Sequence, residues 1–304
     1  MKTNREKAML VADSGSTKTD WVMLDETGRK SFQTQGLNPV LMSEEAMMDI
    51  LRCELLPELP DGVAFELFFY GAGVREDQVE KMRRAFQRAF AAGNPLSEII
   101  SPLPFREGVG GGAFHFYSDL LGAARALCGH SEGIACILGT GSNSCLFDGE
   151  KIVQNTPALG YVLGDEGGGA SLGKIFLNAI FKGLLPTALR DEFLAETGST
   201  LDEIIRKVYR EPMPNRFLAS FSEFIRRHLE EEALRNLVKE EFRRFFRHNI
   251  VAYDRRDLPV GFVGSVALHF EPLLREAARD EGFEVGIVVG NPVGLLSEYH
   301  LKRR

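Results

Sequence analysis

One local pattern occurs twice in this chain, and it constrains the fold more than any other feature. An apolar run over residues 8–12 breaks at Asp13-Ser14-Gly15-Ser16-Thr17-Lys18-Thr19-Asp20 and resumes as Trp21-Val22-Met23-Leu24. A second run, 133–138, breaks at Gly139-Thr140-Gly141-Ser142-Asn143-Ser144 and resumes as Cys145-Leu146-Phe147. Each predicts a strand, a Gly/Ser/Thr hairpin and a second strand, then an acidic-Gly turn (Asp25-Glu26-Thr27-Gly28; Asp148-Gly149) and a third strand. Glycines let backbone N–H groups come close to an anion, and hydroxyls add short neutral donors. Two such hairpins facing each other are suited to hold the phosphates of a nucleotide between two related domains.

At 304 residues and 44% hydrophobic, the chain is near the size at which one core usually splits into two domains. Lys and Arg total 36 against 43 Asp and Glu, a net charge of -7, so no basic surface recommends nucleic acid. Cys53, Cys128, Cys136 and Cys145 show no CxxC spacing and read as reduced core residues of a cytoplasmic protein. The N-terminal apolar run is too short for a signal-peptide core, and no run approaches the roughly 20 apolar residues of a membrane span.

Along the chain the periodicity alternates between strand and helix. Ala46, Met47, Ile50, Leu51 and Leu55 recur at helical spacing behind a plausible Ser43 cap; 65–70 predicts a strand, and Val79, Met82, Phe86 and Phe90 the stripe of a second helix. A short strand is expected at 98–100, and the glycine-rich tract 108–112 reads either as a domain crossing or as a loop. A helix over 119–127 precedes the second three-strand unit. From 184 to 251 the pattern is helical and charged, with Phe217, Phe221, Phe224, Ile225 and Leu229 on one face; Glu230-Glu231-Glu232 and Arg243-Arg244 read as solvated faces. A strand at 260–264, a helix at 265–279, a strand at 284–289 and a last short helix complete the pattern.

Four of these segments, in order, carry a resemblance: the hairpin Asp13-Ser14-Gly15-Ser16-Thr17-Lys18-Thr19, the hairpin Gly139-Thr140-Gly141-Ser142-Asn143, Gly164-Asp165-Glu166-Gly167, and Gly264-Ser265-Val266. Together they resemble the BadF/BadG/BcrA/BcrD ATPase family, and within it the N-acetylglucosamine kinases of the sugar kinase, Hsp70 and actin superfamily. The resemblance implies an α/β fold: two ribonuclease-H-like, actin-like ATPase domains with a nucleotide cleft between them. The N-terminal domain is expected over 1–112, joined by a C-terminal helix at 293–304. The C-terminal domain is expected over 113–292, with a helical insertion at about 184–251.

It also implies site residues. Asp13 matches the acidic residue that interacts with magnesium. Gly15, Ser16, Thr17, Lys18 and Thr19 match the first phosphate hairpin, with Lys18 directed either inward or to the surface. Thr140, Gly141 and Asn143 match the second, while Gly264 and Ser265 match the adenosine motif. Asp119, in Ser118-Asp119-Leu120-Leu121-Gly122-Ala123, resembles the catalytic base, although a helix N-terminal aspartate reads the same way locally. For the sugar, Asn38, Ala72, Gly73, Gly160 and Asp165 match the pocket, together with Asp119. Several family kinases carry tryptophan where this chain has Leu159, which removes an aromatic surface from that wall.

The implied reading is a cytoplasmic, ATP- and Mg2+-dependent sugar kinase acting on an amino sugar such as N-acetylglucosamine at its 6-hydroxyl, with a homodimer among the assemblies the resemblance allows and without nucleic-acid or membrane partners. The family's other branch, ATPases that activate 2-hydroxyacyl-CoA dehydratases through an iron–sulfur cluster, is the alternative. None of the four cysteines matches its ligand pattern. A nucleotide or sugar sensor without turnover is the alternative from a different class.

Overall fold

The computed structural model describes residues 7–15, 17–60, 63–91 and 114–302. Ser16, the strand expected at 98–100 and the tract 108–112 lie outside them. The chain forms two compact units, Met1–Ala126 with Pro292–Arg304, and Leu127–Asn291.

The first unit is built on β1 (Lys7–Ser14), β2 (Lys18–Asp25), β3 (Gly28–Gln35), β4 (Ala64–Gly71) and β5 (Phe114–Ser118), in the order β3-β2-β1-β4-β5. The first three strands are antiparallel neighbours, whereas β4 and β5 add parallel to β1. The unbroken apolar run of β1 fits this central place, since helices cover both faces of the sheet and every residue from Ala8 to Ala12 is buried. Helices α1 (Glu44–Ile50) and α2 (Glu76–Ala91) cover one face. There Met47, Ile50, Leu51, Leu55, Met82, Phe86 and Phe90 are buried as their spacing predicts, and Ser43 caps α1 by accepting from the Ala46 N–H. Helix α3 (Asp119–Cys128) and the C-terminal helix Val293–Leu301 belong to the other face, where Tyr70, Ala126, Val293 and Leu296 pack with Met9, Val11 and Val22. Strand β5 was not anticipated, although its alternation of buried Phe114 and Phe116 with less buried His115 and Tyr117 has the period of a strand.

The second unit repeats the plan with β6 (Gly133–Leu138), β7 (Ser142–Phe147), β8 (Ile152–Thr156), β9 (Val260–Val263) and β10 (Val285–Val289), ordered β10-β9-β6-β7-β8. The pairing directions match those of the first unit strand for strand. Between β8 and β9 come α4 (Gly160–Leu163), α5 (Gly169–Phe181), α6 (Thr187–Thr197), α7 (Leu201–Arg210), α8 (Pro214–Ala219), α9 (Ser222–Arg227) and α10 (Glu232–Phe245).

Three expectations need correction here. Phe217, Phe221, Phe224 and Ile225 do not share one helix: the chain breaks between α8 and α9, and Phe221 precedes the first residue of α9. The rings still converge, with Phe193 5.2 Å edge-on to both Phe221 and Phe224. The helix expected over 265–279 is two, α11 (Ser265–His269) and α12 (Glu271–Asp280), because Pro272 lacks the N–H a continuous helix needs and serves in the first turn of the second. Cys53 is exposed rather than in the core, while Cys136 and Cys145 are buried as expected.

Candidate active site

In the first unit most of the predicted residues meet at the end of β1. Asp13 pairs in register with Asp20 of β2 and Tyr70 of β4. The next residue, Ser14, which the sequence reading did not assign a role, fastens three segments together. Its Oγ lies 2.8 Å from Thr19 Oγ1 and accepts from the Leu37 N–H at 3.0 Å, and its carbonyl accepts from the Ala72 N–H at 2.9 Å. The hairpin, the Asn38 loop and the turn 71–73 are thereby held to one buried serine.

Asn38 is buried, and its Oδ1 accepts from the Val40 N–H at 3.0 Å. Gly73, at φ +79°, lies against it so closely that a Cβ there would stand 2.4 Å from Oδ1, so these two residues depend on each other. Gly15 and Thr17, on either side of residue 16, are exposed. The Thr19 hydroxyl, by contrast, is buried and donates to the Gln35 carbonyl at 3.1 Å, so it holds the hairpin rather than offering a free donor. Lys18 lies at the surface, 3.0 Å from an Asp20 carboxylate oxygen.

Asp119 is the first residue of α3, delivered by β5, whose last residue Ser118 pairs with Gly71. Its carboxylate accepts from the Leu120 N–H at 2.8 Å, as a helix-start aspartate does. It is also electrostatically coupled to Asp13. Desolvation first, then the Asp119 and Asp20 charges, push the Asp13 carboxyl up to about 7, with Lys18 opposing; desolvation likewise raises Asp119. Tyr70 braces this corner, with its Cβ 3.0 Å from where a Cβ on Gly122 would sit. Its hydroxyl accepts from Arg125 Nη1 at 2.9 Å and lies 2.9 Å from His300 Nε2. The Arg125 guanidinium is 4.4 Å over the Tyr117 ring.

A stability prediction follows from the Asp13 carboxyl. A group whose folded-state pKa lies above its unfolded value of 3.8 favours the fold fully below about 4, and that contribution is lost as pH rises through about 7. Asp13→Asn is therefore expected to stabilise the ligand-free protein at pH 8 by on the order of 2 kcal/mol, and by little at pH 4. Thermal melts of both proteins at the two pH values check this; a variant that melts below wild type at pH 8 would contradict the charge repulsion.

In the second unit the hairpin at 139–142 and the segment at 164–170 are locked together. The Gly169 N–H donates to the Gly139 carbonyl and the Ala170 N–H to the Thr140 carbonyl, both at 2.8 Å. Asp165, at φ +55°, lays its carboxylate on Gly141, where a Cβ would come within 2.6 Å of Oδ2, and accepts from the Ser142 N–H at 3.2 Å. The residue matched to a sugar wall thus packs directly on the predicted phosphate hairpin. Thr140 is exposed, whereas the Asn143 Oδ1 accepts from the Ser144 N–H and Asn155 Nδ2. Gly264, between β9 and α11, abuts the Leu138 carbonyl, so the adenosine motif adjoins the same hairpin, with Ser265 exposed. Gly160 is exposed and touches nothing within 4 Å of its would-be Cβ, and Leu159 beside it is exposed.

Glu241 of α10, to which the sequence assigns no role, is buried beneath this loop. It accepts from Ser171 Oγ at 2.6 Å and the Gly167 N–H at 3.3 Å, and pairs with Arg244. Its place on the helix is shared with buried Val238, Phe242 and Phe245.

Among the described residues, no group of three or more His, Cys, Asp or Glu could hold a metal ion. The Asp13 carboxylate, crowded by the Asp119 and Asp20 charges, nevertheless suits a hard cation brought in with phosphate oxygens, and Mg2+ is such an ion. No helix among the described residues is long and apolar enough to cross a membrane.

Neither a scan of protein-family models nor a search of curated proteins gave a match. Solved structures do match. A candidate N-acetylglucosamine kinase from Porphyromonas gingivalis is 41% identical, covering 97% of this chain and 99% of that one, with a TM-score of 0.85. A candidate N-acetylglucosamine kinase from Chromobacterium violaceum shares the fold at 18% identity, with coverage of 96% and 98% and a TM-score of 0.64. The ethanolamine utilization protein EutJ from Carboxydothermus hydrogenoformans shares it at 15% identity, with coverage of 96% and 89% and a TM-score of 0.53. With its two mixed five-stranded sheets of matching topology, the chain has the α/β two-domain fold of actin-like ATPases, and it belongs to the N-acetylglucosamine kinase-like family of the sugar kinase, Hsp70 and actin superfamily.

Proposed function

We propose that the protein transfers the γ-phosphoryl group of ATP to a sugar hydroxyl, with the 6-hydroxyl of N-acetylglucosamine as the preferred acceptor. The observation that carries this reading is the Asp119 carboxylate, coupled to Asp13 at the open end of a Gly/Ser/Thr hairpin. Asp119 accepts the proton of the attacking hydroxyl as the new P–O bond forms, the bond from the γ-phosphorus to the bridging oxygen breaks, and ADP leaves. Gly15, Ser16, Thr17 and Lys18 of one hairpin and Thr140, Gly141 and Asn143 of the other receive the phosphates; Thr19 supports the first hairpin from within. Gly264 and Ser265 receive the nucleoside. Asp13 would hold Mg2+, which would supply charge neutralisation at the phosphate oxygens. Asn38, Ala72, Gly73, Gly160 and Asp165 orient the sugar.

The buried thiols favour the kinase over the iron–sulfur activator. Desolvation raises Cys128 to about 11 and Cys145 to about 12 and pushes Cys136 well above the usual thiol range, which opposes the thiolate form that a cluster requires.

A coupled ADP-release assay over a panel of hexoses and amino sugars tests the reading, with N-acetylglucosamine expected to give the highest kcat/KM. A polar site rejects ligands that leave its groups unpaired. Asn38→Ala is accordingly expected to raise the sugar KM by about 10-fold or more while leaving the ATP KM within about threefold. With Leu159 in place of an aromatic wall, glucosamine or glucose should compete better than the acetylated sugar's preference alone would allow. If no sugar stimulates ADP release, the sensor reading takes its place.

A further inference from the structure

Glu241 is a buried acid that no step of the proposed transfer uses. It is 2% exposed and shares its side of α10 with Val238, Phe242 and Phe245, where an apolar residue would be expected. A carboxylate is costly in such a place unless its oxygens are satisfied, so its partners show what it is for. Its Oε1 accepts both from Ser171 Oγ at 2.6 Å and from the Gly167 N–H at 3.3 Å, while Oε2 accepts from Arg244 Nη1 at 2.7 Å.

Gly167 and Ser171 flank the start of α5. The residue that caps this helix, Gly168, has no side chain to close it, and Glu241 brings from another helix the negative charge that a first turn favours. Gly167 is also packed on α10 itself: at φ +71° its would-be Cβ stands 3.2 Å from Phe245 Cβ and 3.4 Å from Phe242 Cδ1. The same loop is gripped a second time by the π-helical turn Phe246–Ile250 that continues α10, where His248 and Asn249 reach the Glu166 carboxylate at 3.1 and 3.4 Å.

What α5 carries is the hairpin. The Gly169 and Ala170 N–H groups hold the Gly139 and Thr140 carbonyls, and a Cβ on Gly168 would stand 2.6 Å from the Gly141 carbonyl carbon. In a planar trans peptide the C=O and the following N–H point to opposite sides. Drawing those two carbonyls onto α5 therefore turns the Thr140 and Gly141 N–H groups away from it, as an anion-binding turn requires. We infer that Glu241 is a positioning residue for the nucleotide: it fixes loop 164–171 and the start of α5, and through them the 139–142 hairpin. This rests on the reading of that hairpin as one that receives phosphates.

Calorimetric titration with a non-hydrolysable ATP analogue and Mg2+, without sugar, tests it. Glu241→Ala leaves the Gly167 and Ser171 donors unpaired and should weaken nucleotide binding by about tenfold or more. Glu241→Gln keeps an acceptor oxygen in place and should stay within about threefold of wild type. Val238→Ala, one turn earlier on the same buried face, should lower the melting temperature yet leave nucleotide affinity within about threefold. Ser171→Ala should weaken binding by about fivefold, and it decides the matter should Glu241→Ala not fold. A folded Glu241→Ala of wild-type affinity overturns the inference. So does a Glu241→Gln as weak as Glu241→Ala, a Val238→Ala that loses as much, or, where Glu241→Ala does not fold, a Ser171→Ala that binds as wild type does. A wild type that binds no nucleotide removes the proposed function as well, whereas nucleotide binding indifferent to Glu241 removes this inference alone.

Discussion

Asp119→Asn is expected to lower turnover by roughly 10²-fold or more while leaving the sugar KM within about tenfold, because the amide keeps the shape but cannot take the hydroxyl proton. The structure adds a pH signature to this. Burial raises the Asp119 carboxyl above its ordinary 3.8, and Asp119 in turn helps push Asp13 up to about 7. The base acts when deprotonated, so kcat should fall as pH drops, along a limb lying above the ordinary carboxylate range. In Asp119→Asn the residual rate should lose that limb, and Asp13 should titrate lower once the neighbouring charge is gone. Asp13→Asn should instead raise the Mg2+ concentration needed for half-maximal rate. A variant of Asp119 with near-normal turnover, or with an unchanged acid limb, would remove it from the role of base.

How far the sequence discloses this site depends on whether an interaction is local. The central strand β1 is legible because burial on both sides demands an unbroken apolar run, and α2 because Met82, Phe86 and Phe90 keep helical spacing. The hairpins are legible because few arrangements other than a tight turn use so many glycines and hydroxyls. What sets the site's geometry is less visible. Ser14 looks like one hydroxyl among several, yet it ties residues 19, 37 and 72 to β1, partners separated by as many as 58 positions (72 − 14). Glu241 falls on the buried stripe of α10 with Val238, Phe242 and Phe245, but the partners that satisfy its carboxylate there come from a loop some 70 residues earlier. Asp165 adopts a left-handed backbone that nothing in its side chain requires, and that turn directs its carboxylate onto Gly141. Each of these is a consequence of tertiary packing, which periodicity does not encode.

Gly264 shows the same limit, and it carries the largest stability effect expected here. From sequence, the glycine is explained by the need for a nucleoside to approach the strand-to-helix turn. In the fold it is already required without any ligand: at φ +124° a Cβ would stand 2.2 Å from the Leu138 carbonyl oxygen and 2.7 Å from its carbon. Both are backbone atoms of a central strand, so neither a rotamer change nor a small shift relieves the clash. Gly264→Ala is therefore expected to cost about 3 kcal/mol or more, or to prevent soluble expression. Gly160→Ala is the matched control. That glycine also has positive φ, +75°, but nothing lies within 4 Å of its would-be Cβ, so only the backbone preference of about 1 kcal/mol should be lost. Urea denaturation of the two variants beside wild type separates close contact from conformational preference. Equal losses in both would mean that the approach of residue 264 to Leu138 contributes nothing, and the glycine would then be explained by its ligand alone. With the unequal losses expected, nucleotide affinity is better probed at exposed Thr140, where a side chain can be changed without the fold having to answer for it.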